Sequence, residues 1–343
     1  MDADINLSEF VRDVYNYSAA FSIAFNALLI YLILSEKSIK AIGYKSLMVI
    51  TAVFEIVYSL LDVFLVPIHY SYASAIVELV DVSDKYFGRP VVNVIHFIYN
   101  AFFGAFLALL SLHFIYRWFV VTDHPLLSSF NSAKISFWLL IPFLTGLVYA
   151  LLGVYVCGPN KETSDFLREG IMKAFGRDID DFGYLAMHLF EEKANGEVEL
   201  HLASIFGIAM TFITIIPSFF TIIFFGVKCY RRIRSLLRMT SSTKNDSLQS
   251  QLFYALVFQT LIPFVLMHIP VTILLILAFT GTNLGKYGMI VSTSITLYPA
   301  IDPLPTFFIV KPLRRRIMDF VTCRNIEIVF VPGRSTERVS IRT

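Results

Sequence analysis

Near its end the chain places an aspartate among prolines in an otherwise apolar run, YPAIDPLP, Tyr298 to Pro305. Inside a bilayer such a carboxylate costs about 2.5 to 3.5 kcal/mol on insertion scales, so Asp302 is expected to face protein or water. Asn26 and Glu55 interrupt two other apolar stretches in the same way. Counted from the inner ends of their stretches, all three lie about 12 to 14 Å deep at about 1.5 Å per residue. An amide and two carboxyls at one depth can meet and share a proton, a water or a cation; at least one carboxyl is then expected to be neutralised. Alternatively, each bonds only its own neighbours.

A second polar set belongs to the outer halves of the stretches: Asn93, His96 and Asn100, together with Asp62 and His268. Spacings of three and four put Asn93, His96 and Asn100 on one helix face. With Phe97, Phe103, Phe206, Met210 and Met267 they would line an apolar pocket with few polar anchors, the usual build of a small-molecule site. Interhelical hydrogen bonding for packing is the alternative. No HExxH occurs and no Cys/His pair has ligand spacing, so neither a metal nor another cofactor is expected. No nucleophile and base stand at workable spacing, which argues against an enzyme. Arg117 at the inner end of the third stretch either snorkels to the interface or contacts an intracellular partner. The same partner contact is expected of Arg231, Arg232, Arg234 and Arg238.

The elements that must position these residues are membrane helices. The chain has 343 residues, of which 56% are hydrophobic and 16% charged. Seven stretches are long enough to cross about 30 Å of hydrocarbon: residues 15–34, 46–66, 91–115, 136–156, 203–227, 252–277 and 287–310. With the N-terminus outside, the inner segments hold 19 of the 28 basic residues and only 6 acids. The reverse orientation would invert the positive-inside rule. The expected fold is therefore an all-α, seven-transmembrane helix bundle, with residues 1–324 as one domain and 325–343 as a cytoplasmic tail. Without a basic n-region or a small-residue cleavage site, the first span is expected to act as its own insertion signal.

Outside the membrane, the loop 158–200 carries ten acids against five basic residues. It is either a partly structured lid, which the helical look of 164–175 favours, or a solvated loop. Asn6, in Asn6-Leu7-Ser8, is the sequon exposed to glycosylation. Of the three cysteines only Cys157 is outside, and Cys323, just past the last span, is a candidate for palmitoylation.

Four segments in register carry a family resemblance: GYKSLM at Gly43 to Met48, HFIYRWF at His113 to Phe119, QLFYALVFQTLIP at Gln251 to Pro263, and YPAIDPLPTFFIVKPLRRRI at Tyr298 to Ile317. With the long outer loop before the fifth span, they resemble the Str class of nematode serpentine chemoreceptors. That resemblance implies a GPCR-like receptor in the ciliary plasma membrane of a chemosensory neuron. Its partners would be a small odorant or soluble attractant or repellent, a heterotrimeric G protein and membrane lipid, with no nucleic acid. The chain departs from rhodopsin-like receptors where Tyr116 replaces an acid before Arg117, and where Pro263 and Pro270 lack a neighbouring tryptophan. From the residues alone, an ion-coupled transporter or channel subunit using Glu55 and Asp302 stays open, although an odd span count without repeats disfavours it.

Overall fold

A computed structural model describes residues 2–36, 42–83, 88–131, 134–192, 197–238 and 244–322. Cys323 and the tail lie outside the described residues, as does the side chain of Asn6 at the outer end of the first helix.

The spans are α1 (Asp2–Ser35), α2 (Ile42–Leu65), α3 (Arg89–Val121), α4 (Ile135–Cys157), α6 (Leu202–Arg238) and a sixth made of α7 (Lys244–Pro263), a π-helical turn (Phe264–His268) and α8 (Ile269–Phe279). These six are long and apolar enough to cross a bilayer unaided. The expected seventh is divided into α9 (Met289–Ile301) and α10 (Leu304–Ile309), followed by α11 (Lys311–Val321). Proline causes the division: Pro303 and Pro305 offer no N–H to the preceding turn, so the ladder breaks beside Asp302. Pro303 nonetheless keeps helical angles, φ −67° and ψ −24°, and Thr306 N donates to Pro303 O at 3.1 Å. Residues 289–309 therefore still cover about 30 Å.

Helix α3 is the centre of the bundle. Its most apolar window is 61% buried, against 17% for α4 and for α6, which present most of their surface to lipid. Small residues bring α3 and α4 together: Gly104 lies against Tyr149 and Gly146 against the Ala101 carbonyl, where a β-carbon would collide. Two of the helices run further inward than apolarity alone would place them. α3 continues to Val121, and α6 carries Arg231 to Arg238 on a helix rather than in a loop.

The outer face is closed by structure that helix periodicity does not announce. β1 (Ile68–Tyr72) and β2 (Ala75–Asp81) form a hairpin in the register Ile68↔Leu79, His69↔Glu78. β3 (Phe182–His188) adds to β2 with Ala75 opposite His188 and Asp81 opposite Phe182. The long loop also holds α5 (Lys161–Phe175), capped by Asn160, whose side chain accepts from Thr163 N at 2.8 Å, and ended by Gly176 at φ 67°. Leu167 and Ile171 of α5 pack on Tyr70, Leu79, Phe182 and Tyr184 of the sheet. Arg177 pairs with Asp81 and joins the two loops. Burial alone would raise the Asp81 carboxyl, but bonds from Arg177 and Ser83 hold it below its ordinary range. Strands β4 (Phe190–Glu192) and β5 (Val198–Leu200) form a separate short ribbon.

Candidate functional site

Beneath the sheet lies a cavity of about 450 Å³ bounded by α3, α4, α6, the π-turn, α8 and α9. This is the size of pocket that holds a small molecule. Alternation along β2 explains its roof. Ile76 and Glu78 point inward and line the cavity, while Val77 and Leu79 point outward into the α5 core. Asn100 and Tyr99 of α3 and His268 of the π-turn supply polar atoms lower down. The rest is mainly aliphatic and aromatic, including Phe103, Ile215 and Phe219.

Glu78 is the acid of this site. Its Oε1 stands 3.4 Å from His96 Nε2, and the two side chains are only 15% and 7% exposed. Burial would raise the Glu78 carboxyl, yet the facing His96, with His69 and Asn100, holds it below its ordinary range, so it is a carboxylate at neutral pH. Across the hairpin His69 is held below the usual histidine value by burial, against the pull of Glu78. His69 is also tied to α9: its backbone N donates to Ser292 Oγ at 2.7 Å, and Nδ1 lies 3.0 Å from the same oxygen.

Of the residues expected in an outer pocket, Asn100, Phe103 and His268 line the cavity. His268 sits edge-on to Phe103 and Phe219, and its Nε2 has no hydrogen-bond partner among the described residues. His96 stands behind Glu78, and Met267 is fully buried in the core of the π-turn. Phe97 and Met210 are half-buried beside the cavity-facing stripe, not on it. Asn93 is exposed next to Gly183 of β3, and Phe206 faces a separate outer recess with Tyr155 and His201. Glu78 and His69 were missing from the expected set. Their signal was present in the β-rich alternation of IHYSYASAIVELVD, but the two-residue turn at Ala73 and Ser74 lacks the usual Asn-Gly mark.

Deeper in the bundle Asn26, Glu55 and Asp302 come together, each no more than 1% exposed. They share a pocket of about 10 Å³ with Thr51, His113 and Gln259, room for about one water. Asn26 Nδ2 donates to Pro299 O at 3.1 Å, which fastens α1 to the proline-broken helix. Gln259 Nε2 donates to Asp302 Oδ2 at 2.8 Å, and Thr51 Oγ1 is 2.9 Å from His113 Nε2. Glu55 Oε1 and Asp302 Oδ1 have no hydrogen-bond partner among the described residues. Asp62, about two turns further out along α2 and also buried, has neither oxygen satisfied there.

An aromatic column joins the two levels. Tyr58 OH donates to Tyr99 OH at 2.8 Å, and Tyr99 is a cavity wall. Tyr298, 5.5 Å from the Tyr58 ring and 4.9 Å from Phe106, is one turn before Asp302, whose N–H it accepts at 2.9 Å.

At the inner end Arg117 is enclosed rather than displayed, at 1% exposure. Nη1 donates to Gln249 Oε1 on α7 at 2.7 Å, and the guanidinium lies 3.7 Å over the Tyr44 ring of α2. Without an acid before it, the arginine is held by an amide and a π-face. Arg231, Arg234 and Arg238 are exposed along one shallow concavity of α6, whereas Arg232 Nε turns to Val121 O at 3.3 Å.

A seven-helix bundle with a capped outer cavity, a buried polar centre and a basic inner face is the architecture of a serpentine membrane receptor. Squid rhodopsin superposes on 94% of the chain, over 87% of its own, with a TM-score of 0.57 at 12% identity, a likeness of fold. Residues 12–318 match the family described as serpentine type 7TM GPCR chemoreceptor Str, and the chain belongs to that family. It is 32% identical over 314 residues to the Caenorhabditis elegans G-protein coupled receptor str-217, covering 91% of this chain and 90% of that one. It is 26% identical over 324 residues to serpentine receptor class r-10 of Caenorhabditis briggsae, covering 94% and 93%.

Proposed function

We propose that this receptor binds a small, largely apolar molecule with one polar end in the outer cavity and thereby activates a heterotrimeric G protein, in the ciliary membrane of a chemosensory neuron. The observation that carries the reading is the cavity itself: apolar walls around a few convergent polar groups, Glu78, Asn100 and His268. A carboxylate accepts hydrogen bonds and donates none, so Glu78 favours a ligand end bearing an N–H or O–H.

Activation follows from what the ligand touches. His268 belongs to the π-turn between Pro263 and Pro270, a point where the sixth span lacks a continuous ladder and can bend. A ligand that fits a displaced π-turn better than the resting one shifts the population toward it. Tyr99, Tyr58 and Tyr298 carry the same displacement to Asp302 and its bond with Gln259. Movement of α7 then parts Gln249 from Arg117 and frees the arginine, together with Arg231, Arg234 and Arg238, for the G protein.

The test is nucleotide exchange by a Gα subunit in the presence of purified receptor in lipid nanodiscs, with an odorant panel as probe. Exchange that rises with a panel compound, and whose half-maximal concentration moves at least tenfold in Asn100→Leu, supports the reading. Exchange that no cavity substitution alters overturns it.

A further inference from the structure

The cavity is not evenly enclosed. On the α3 and α4 walls Tyr99, Asn100 and Cys157 are 2%, 7% and 5% exposed, and the roof residues Ile76, Leu185 and Met187 are at least half covered. Six of the lining residues are exposed, and every one belongs to α6, the π-turn or α8. Phe212, Ile216, Phe264, Ile269 and Ile273 are 38 to 55% exposed, and Thr272 is exposed with them.

These six do not face outer water. Counted from the outer ends of their helices, Leu202 and Phe279, residues 212, 216, 269 and 273 lie about 9 to 21 Å inward at about 1.5 Å per residue. That depth falls within about 30 Å of hydrocarbon. The apparent exposure is therefore exposure to acyl chains. Phe219 and Phe264, in edge contact at 5.9 Å, form the inner sill of the opening. The water-facing side is roofed by the three-stranded sheet and by α5 packed over it.

We propose that the cavity is entered from the bilayer, through a portal between α6 and α8, and that its ligands are molecules uncharged enough to partition into lipid first. The proposal rests on reading the cavity as the ligand site, and it adds the route and the selection that the route imposes. The membrane concentrates apolar molecules at the portal and holds back permanently charged ones. Glu78 and Asn100 then select, among those that arrive, molecules carrying a donor.

Cys157 on the far wall is a native reporter of that route. In the full chain carrying Cys229→Ser and Cys323→Ser, reconstituted in phosphatidylcholine nanodiscs, labelling of Cys157 is followed by intact mass. The two reagents are a pyrene maleimide dissolved in the lipid and a charged methanethiosulfonate in the water, each rate normalised to a free thiol in the same phase. The lipid-borne reagent is expected to label at least tenfold faster. Ile216→Trp with Thr272→Trp should slow it at least tenfold and leave the water-borne rate unchanged. If that pair lowers the folded yield, Ile273→Trp with Thr211→Cys as reporter reads the same opening. Faster water-borne labelling overturns the portal, as does an unchanged lipid-borne rate in the tryptophan variants, or no labelling of either cysteine. If labelling by the water-borne route blocks the odorant response, the cavity survives as the ligand site and only the portal falls.

Discussion

Replacing Glu78 with Gln keeps the shape of the side chain and removes its charge, which isolates what holds the outer hairpin to α3. The Glu78 to His96 contact is 3.4 Å long, and both side chains are largely buried, so solvent screening is weak. The two atoms are in ion-pair rather than hydrogen-bond contact, and depriving a buried polar group of its facing partner costs about 1 to 3 kcal/mol. His96→Asn should lose a similar amount, because the carboxylate then stays buried without its facing ring. The double substitution should cost less than the sum by about 1 to 3 kcal/mol, since no charge is left stranded. Amide hydrogen exchange of residues 68–81 in nanodiscs reads this directly. Each single substitution should speed exchange about tenfold to a hundredfold, at about 1.4 kcal/mol per factor of ten. Strictly additive effects would refute the pairing, as would a hairpin whose exchange is untouched by Glu78→Gln.

Asp302→Ala should abolish G-protein activation while leaving receptor at the cell surface, measured by exchange and by surface labelling; full signalling would remove Asp302 from the switch. Gln249→Leu should raise ligand-free exchange severalfold, because it deletes the 2.7 Å bond that keeps Arg117 against α7, and unaltered basal exchange would count against that lock. His69 has a folded-state pKa below its unfolded value of about 6.5. Its contribution to stability is therefore present above about pH 6.5 and is lost as pH falls below it. Hydrogen exchange of the hairpin should accelerate between pH 7 and pH 5, while the Glu78 carboxyl, held below its ordinary range, stays ionised through that window. His69→Gln should flatten that dependence, and an unchanged profile would place the titration elsewhere.

The membrane part of the fold was legible because lipid imposes a length and polarity that composition reports. The depths of Asn26, Glu55 and Asp302 were legible for the same reason: rise per residue is constant along a helix. The partners of those residues were not. Gln259 and Gln249 are amides near apolar stretches, and only the azimuth of α7 decides that one meets Asp302 and the other Arg117. Arg117 could be placed at the inner end of α3 from sequence, but not inside it, since burial there depends on Tyr44 arriving from α2. The cap was hidden for another reason. Its strands come from two loops about a hundred residues apart, and long-range pairing leaves no local periodicity that names its partner. With the cap went Glu78, whose inward direction is a consequence of strand register alone.

Occupancy of the outer cavity is proposed to drive activation at the inner face. This coupling is tested most directly by measuring, on one purified receptor in nanodiscs, both binding of an active panel compound and Gα nucleotide exchange for wild type, His268→Leu and Asp302→Ala. His268→Leu should shift binding and exchange together by at least tenfold, and Asp302→Ala should retain binding within a few-fold but lose exchange. A compound that still drives exchange in Asp302→Ala, or binds equally well when the cavity lining is changed, would contradict the coupling.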